Sequence, residues 1–378
     1  MKIAINCIFC QPKGGGIKEY IVNLTNNIES IDNQNEYILY VLEDQLDYAR
    51  SVLPSRFRLK TVPFKSDFLS IIKRSLFSHY FWLKEEAAEH IDIFHSPFFY
   101  APKMKKAKLI ITVHDLRLYR FPNTYGKLRY LYLQHAVKES LLRADRIISI
   151  SNFTKKEIID TCKIPSARIV VIHEAINRNS FSKEDINDYI LPEEFSFLNK
   201  GRLIFSLGHI EPRKNYKRLI EAFKLLKKNK CNADVKLVIA GKPNVDAESV
   251  ISLINKTQDV IYLNFIPRKL LLWIYKNAEL FVFPSFYEGF GFPPLEAASL
   301  GTVSAVSSVS SIPEVCGDCA FYFNPYDIID MAEKIDIAIN NDELRKKKKA
   351  LLEQQLEKFS WKENARETIE VYHSLSHL

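Results

Sequence analysis

The sequence predicts an α/β protein made of two Rossmann-like, doubly wound parallel-sheet domains. Three observations carry this reading. Short apolar runs of strand length alternate with longer helix-compatible stretches almost throughout the chain. The alternation comes as two series, parted by a polar, irregular stretch from about 180 to 200. The 378 residues also exceed the roughly 250–300 at which a single core stops growing. With 47% apolar and 26% charged residues, the composition excludes disorder, collagen and coiled coil as the main architecture.

The first series reads as strands at 3–9, 37–42, 57–64, 92–96, 108–114 and 146–151, with a helix-spaced stretch at 16–30. Residues 1–6 begin like a short signal peptide but run into Gln11, Pro12, Lys13 and three glycines with no small-residue cleavage site. They read as the first strand. No apolar run approaches the ~18–20 residues of a spanning helix, so a cytoplasmic protein is expected. The second series opens at 202–208 and continues at 236–241, 260–266, 280–285, 302–307 and 321–324. Segment 343–358, with Arg345 and Lys346 to Lys349, reads as a solvated helix face. The expected organisation is a domain at 1–182, a linker at 183–200, a domain at 201–358 and a terminal segment at 359–378. Two such sheets in tandem make a cleft, and ligands bind outside the carboxyl ends of the strands.

The net charge of +8 is unevenly spread, because residues 51–150 hold 18 Lys+Arg against 8 Asp+Glu. A basic sector of this kind suits nucleic acid, an anionic membrane or an acidic substrate. Within it, 65–84 interleaves aromatics with cations. It reads either as an interfacial stretch burying Phe and Trp among head groups or as an ordinary amphipathic helix covering the sheet. The six cysteines include Cys7/Cys10 and Cys316/Cys319, each spaced as a metal or redox pair would be. Cys7 and Cys10, however, fall in a strand pattern, where positions three apart face opposite sides. Buried thiols and no metal are the expectation.

Two loops invite chemistry. Gly14-Gly15-Gly16 separates the first strand from a helix, so the backbone can approach a phosphate or sugar at a helix N-terminus. A plain turn is the competing reading, since neither the dinucleotide fingerprint nor the phosphate-loop Gly-Lys-Ser/Thr is present. The second loop is Phe283-Pro284-Ser285-Phe286-Tyr287-Glu288-Gly289-Phe290-Gly291-Phe292-Pro293-Pro294-Leu295-Glu296. A buried strand leads into it, and Pro293-Pro294 suits a helix start, with Glu296 expected in the first turn. Eight residues separate Glu288 from Glu296, roughly 12 Å if helical. That is too far for one acid/base pair and fits two anchors on one long ligand. Alternatively, Glu296 merely complements the helix dipole.

Residues 281–298, with Glu288 and Glu296 in their Phe-Pro-Ser, Glu-Gly-Phe-Gly and Pro-Leu-Glu-Ala context, closely resemble glycosyltransferase family 4. These are group 1 glycosyltransferases, retaining enzymes of the GT-B fold, and the likeness is greatest to the mannosyltransferase-like branch. It extends over nearly the whole chain. Gly208-His209-Ile210-Glu211-Pro212-Arg213-Lys214-Asn215 resembles the start of the family's second domain, while Ser310 to Val315 and Phe323-Asn324-Pro325 resemble later blocks. Phe359-Ser360-Trp361 resembles the start of the final helix, which in this fold crosses back to the first domain. Gly14, Gly15 and Gly16 fall at the family's glycine loop, and Thr112-Val113-His114-Asp115 at its cleft histidine.

The resemblance implies a nucleotide-sugar donor, no metal or other cofactor, and a saccharide or lipid-linked saccharide acceptor. Arg213 and Lys214 would bind the donor diphosphate, whose charge grows as it leaves. His209 departs from the Arg that many members carry after the strand glycine, so weight falls on the Arg213/Lys214 pair. Glu296 would hold the ribose hydroxyls, Glu288 would meet the transferred sugar or its anomeric carbon, and the backbone of Gly289, Phe290 and Gly291 would hold the sugar hydroxyls. His114 would touch the donor sugar, whereas Asp115 would either bind acceptor or cap a turn. The implied reaction transfers a hexose such as mannose to a polysaccharide or glycolipid by front-face attack. Two other readings compete: a sugar-nucleotide epimerase on the same fold, and a non-catalytic basic protein that binds membrane or nucleic acid. The charge excess lies in the acceptor-side half, which lowers nucleic acid as a partner and raises an anionic membrane surface, on the inner face of the cell membrane.

Overall fold

A computed structural model describes residues 1–376 apart from 13, 66–67, 125 and 182–188; at 68–78, 123, 179–180 and 376 only the backbone is described. The chain divides into two compact units. Met1–Ala175 and Phe359–Leu378 form the first, and Ile176–Lys358 the second.

The first unit holds a seven-stranded sheet of β1 (Lys2–Asn6), β2 (Glu36–Leu42), β3 (Arg58–Val62), β4 (Ile93–Ser96), β5 (Lys108–Val113), β6 (Arg146–Ser149) and β7 (Ile169–Val171). Their order is β3-β2-β1-β4-β5-β6-β7, parallel throughout. The second unit holds six parallel strands: β8 (Leu203–Leu207), β9 (Lys236–Ala240), β10 (Val260–Leu263), β11 (Leu280–Phe283), β12 (Ser304–Ser307) and β13 (Ala320–Phe323), ordered β10-β9-β8-β11-β12-β13. Both orders reverse direction once, between β1 and β4 and between β8 and β11. These switch points are where open α/β sheets take ligands, at the carboxyl ends.

The strands read as near-continuous apolar runs because helices cover both sheet faces. Ala4, Phe94 and Ile111 belong to the first core, and Phe205, Val238 and Phe281 to the second. Helix Tyr216–Leu226 shows the matching helical period, burying Tyr216, Leu219, Ile220, Phe223 and Leu226. The terminal helix Trp361–Ser376 packs on helix Gly16–Ile31 within the first unit.

Several elements differ from the sequence expectation. The first strand stops at Asn6, and Cys10 N–H closes a turn onto the Cys7 carbonyl at 2.9 Å. The two cysteines therefore flank a turn and do not occupy opposite faces of a strand. Both are buried, and burial pushes the Cys7 thiol up and that of Cys10 to about 11. Among the described residues, no group of three or more His, Cys, Asp or Glu is placed to hold a metal ion. The stretch expected as a linker, 183–200, contributes Glu193–Asn199, whose Leu198 is buried in the second core with Phe195 and Phe197 packed against it. Its residues 183–188 lie outside the described residues. Strand β7 was not expected at all, being only three residues long.

Segment 65–84 falls largely in helix Phe68–Glu89, and the side chains of 66–78 lie outside the described residues. Beyond them, Trp82 is buried in the first core between Tyr40 and Phe94, and Phe81 packs beside it. These two aromatics cover the sheet and are not free for head groups. No described helix is long and apolar enough to cross a membrane.

Candidate active site

The carboxyl ends of β8 and β11 bring three of the expected residues into one ion cluster. After β8 the chain passes Gly208 and makes a short 3-10 turn, Pro212–Lys214, that delivers Arg213 and Lys214 together. Arg213 Nη1 donates to Glu288 Oε2 at 2.7 Å and to the Tyr287 carbonyl at 3.2 Å, while Lys214 Nζ lies 2.7 Å from Glu288 Oε1. Glu211 also pairs with Arg213. The Lys214 stem crosses Gly208 so closely that a Cβ there would meet Lys214 Cε at 3.0 Å and the Tyr216 hydroxyl at 3.1 Å.

The cluster is nearly buried, with side-chain exposures of 8% for Lys214 and 11% for Glu288. Burial penalises the Glu288 charge, but Lys214 and Arg213 outweigh it and hold the carboxyl down at about 2. Burial draws the Lys214 ammonium below its ordinary range, with Glu288 opposing. Two cations and two carboxylates, Arg213 and Lys214 with Glu288 and Glu211, therefore balance one another in a desolvated place.

The glycine loop after Glu288 is shaped by its own backbone. The Ser311 hydroxyl sits 2.9 Å from the Glu288 carbonyl and 2.7 Å from that of Phe290, and Glu288 N–H donates to Ser310 Oγ at 3.3 Å. Gly291 caps helix Phe292–Ser299 with φ of +112°, a conformation L side chains rarely adopt. Pro293 and Pro294 do occupy the helix start. Glu296, expected in the first turn, is the fifth helical residue, so complementing the helix dipole does not account for it. It lies apart from the ion cluster in its bonding, accepting from the Tyr275 hydroxyl at 2.8 Å, and burial pushes its carboxyl up.

Asn215 completes this half. Its φ of +58° makes a left-handed turn before the helix, and its amide donates to the carbonyls of Pro284 (3.0 Å) and Pro325 (2.8 Å). It thus ties the ends of β8, β11 and β13 together.

In the first unit, His114 follows the end of β5. Its Nδ1 lies 2.8 Å from Glu174 Oε1 and its Nε2 3.1 Å from the Pro97 carbonyl. Tyr20, from the helix after the glycine loop, meets the ring edge-on at 4.9 Å. Asp115 accepts from Arg117 N–H at 3.1 Å, the local turn-capping arrangement. Gly14 is sterically required, because a Cβ there would approach Lys18 Cβ to 2.6 Å, whereas one at Gly15 or Gly16 would meet nothing within 4 Å. Gly15 caps helix Gly16–Ile31. Glu174 and Tyr275 had no place in the sequence reading of the site, and Asn215 and Ser311 stood in its motifs without a role.

Two open parallel sheets, each with its polar residues at the carboxyl ends beside the switch point, define a two-Rossmann enzyme of the GT-B type. HepE from Anabaena, solved in complex with UDP-glucose, shares this fold with a TM-score of 0.71 at 15% identity, covering 99% of this chain and 100% of that one. The family profile described as Glycosyl transferases group 1 matches residues 190–375, and that of Glycosyltransferase Family 4 matches residues 14–180. O-antigen chain mannosyltransferase B of Escherichia coli is 30% identical over 74% of this chain and 74% of its own length. Serotype-specific mannosyltransferase WbdA of the same organism is 34% identical over 60% of this chain, which amounts to 28% of WbdA. The chain belongs to the group 1, family 4 glycosyltransferases, and it is a glycosyltransferase enzyme.

Proposed function

We propose that this glycosyltransferase moves a hexose, mannose first among candidates, from a nucleotide-sugar donor to a saccharide or lipid-linked saccharide during cell-surface polysaccharide or glycolipid synthesis, with retention of configuration. The observation that carries the donor half is the buried ion cluster that delivers Arg213 and Lys214 together, paired with Glu288 and Glu211, at a switch point. The mannose and polysaccharide parts draw support from the names of the relatives, O-antigen chain mannosyltransferase B and WbdA.

In this reading the donor diphosphate takes the cations, Arg213 as a planar fork and Lys214 as a point charge. Both stabilise the charge that builds on the leaving phosphate. The bond from the anomeric carbon to the phosphate oxygen breaks, the acceptor oxygen bonds to that carbon from the same face, and the acceptor proton passes to the leaving phosphate. Glu288 keeps the cations in place and offers a carboxylate to the developing positive charge. Glu296 holds the ribose, and the backbone of Gly289, Phe290 and Gly291 the sugar hydroxyls. His114 and the glycine loop serve the sugar from the first unit. Neither a metal nor a cofactor enters. The basic 51–150 sector faces an anionic membrane surface carrying the acceptor.

A panel of GDP-, UDP-, dTDP- and ADP-sugars, read by released nucleoside diphosphate and by thermal shift, tests this. One donor is expected to raise Tm and to be consumed with acceptor. Arg213→Ala should cut turnover by about 10²–10³, the scale for losing one charge-stabilising donor. Absence of both stabilisation and turnover across the panel would refute the reading.

A further inference from the structure

We infer that Glu174 is a positioning residue for His114, fixing its ring so that both nitrogens carry a hydrogen and Nε2 is a permanent donor. This deepens the proposed function and rests on its placing of His114 at the donor sugar.

His114 Nδ1 faces a carboxylate oxygen at 2.8 Å and Nε2 faces a peptide carbonyl at 3.1 Å, and neither partner has a hydrogen to give at neutral pH. A neutral imidazole carries one hydrogen and satisfies one of these acceptors; the cation satisfies both. Glu174 is 2% exposed and stands next to His173, whose carbonyl accepts from the Asn364 amide at 2.7 Å, so the terminal helix helps hold the carboxylate's backbone. The other polar and titratable groups about the ring fit the same state. Asp115 adds a second negative charge from the following turn, Tyr20 presents its ring edge-on from helix Gly16–Ile31, and His95 lies on neighbouring β4. His95 stays neutral, since burial and then His114 depress it to about 3. Burial works against the His114 charge, yet the Glu174 carboxylate prevails and raises its pKa. His114 so held cannot act as a general base. Its two hydrogens are held by Glu174 and by the Pro97 carbonyl, so the ring is fixed in place as a cation.

The test is a titration of the His114 imidazole by ¹⁵N NMR in the full chain, beside the pH profile of kcat/KM. In Glu174→Gln the charge is lost while a neutral acceptor remains. The His114 midpoint should fall by about one pH unit or more, a tenfold change in proton affinity, and the alkaline limb of the profile should move with it. Should Glu174→Gln fail to fold, Glu174→Asp, which keeps the charge on a shorter stem, should retain the high midpoint in any folded fraction. An unmoved midpoint overturns the inference, as does a moved midpoint with an unmoved profile. A chain that shows the NMR shift but consumes no nucleotide sugar would refute the transferase reading while leaving the Glu174–His114 proton assignment intact.

Discussion

At the residue scale the Arg213–Glu288–Lys214 cluster dominates, and its energetics follow from its burial. Removing the charge of Glu288 leaves the buried Lys214 without its carboxylate, while Arg213 keeps Glu211, and breaking a buried pair costs about 3–5 kcal/mol. Glu288→Gln should therefore lower the urea midpoint of the second unit clearly, and a nucleoside diphosphate should restore part of the loss by supplying the missing negative charge. The pH dependence has a definite sign. Glu288 falls from an ordinary 4.5 to about 2 on folding, so its contribution is complete above 4.5 and is lost as pH drops toward 2. His114 runs the other way. Its raised value means a contribution complete below 6.5 that disappears as pH climbs through the folded value, so Glu174→Gln should flatten that alkaline loss in a stability profile. The cluster residues were legible in the sequence because each belongs to a contiguous motif. Glu174 was not, since it meets His114 across 60 positions and nothing near it in sequence signals the pairing.

At the element scale, strand β7 explains the omission. Ile169–Val171 is too short for an apolar period to register, and Pro165 with the Ser166–Arg168 turn precedes it. The longer strands were read almost in place because burial on both sheet faces writes continuous apolar runs. Their ends were less legible: the first was expected to run to residue 9 and stops at Asn6. The terminal helix shows what local pattern cannot reveal. Tyr372 OH lies 2.7 Å from His95 Nδ1, and His95 Nε2 lies 2.8 Å from Thr112 Oγ1, which in turn is 3.2 Å from Tyr20 OH. This buried chain joins the last helix to β4, β5 and helix Gly16–Ile31. Tyr372→Phe strands a buried ring nitrogen, at a cost of about 1–3 kcal/mol. Its denaturation midpoint should fall accordingly; an unchanged midpoint would show that the network does not hold the helix.

At the scale of the whole molecule, each unit carries its own candidate residues. The second carries the cationic cluster at the β8/β11 switch point, and the first carries the glycine loop and His114 beside β1 and β5. The tandem architecture was legible because the β-α alternation repeats after an irregular stretch. The role of that stretch was not, since its apolar Phe195, Phe197 and Leu198 bury themselves in the second core despite polar neighbours. Within the basic sector at 51–150, Trp82 and Phe81 are structural, so contact with an anionic surface falls to its cations and not to these aromatics. The central claim is that Arg213 and Lys214 drive retaining transfer by holding the donor diphosphate. It is tested most directly by NMR of the product's anomeric centre, formed from the donor that the panel selects, in wild type and Lys214→Ala. The account predicts a product with the donor's own anomeric configuration and near-complete loss of product formation in the variant. An inverted linkage, or a variant that turns over like wild type, would contradict it.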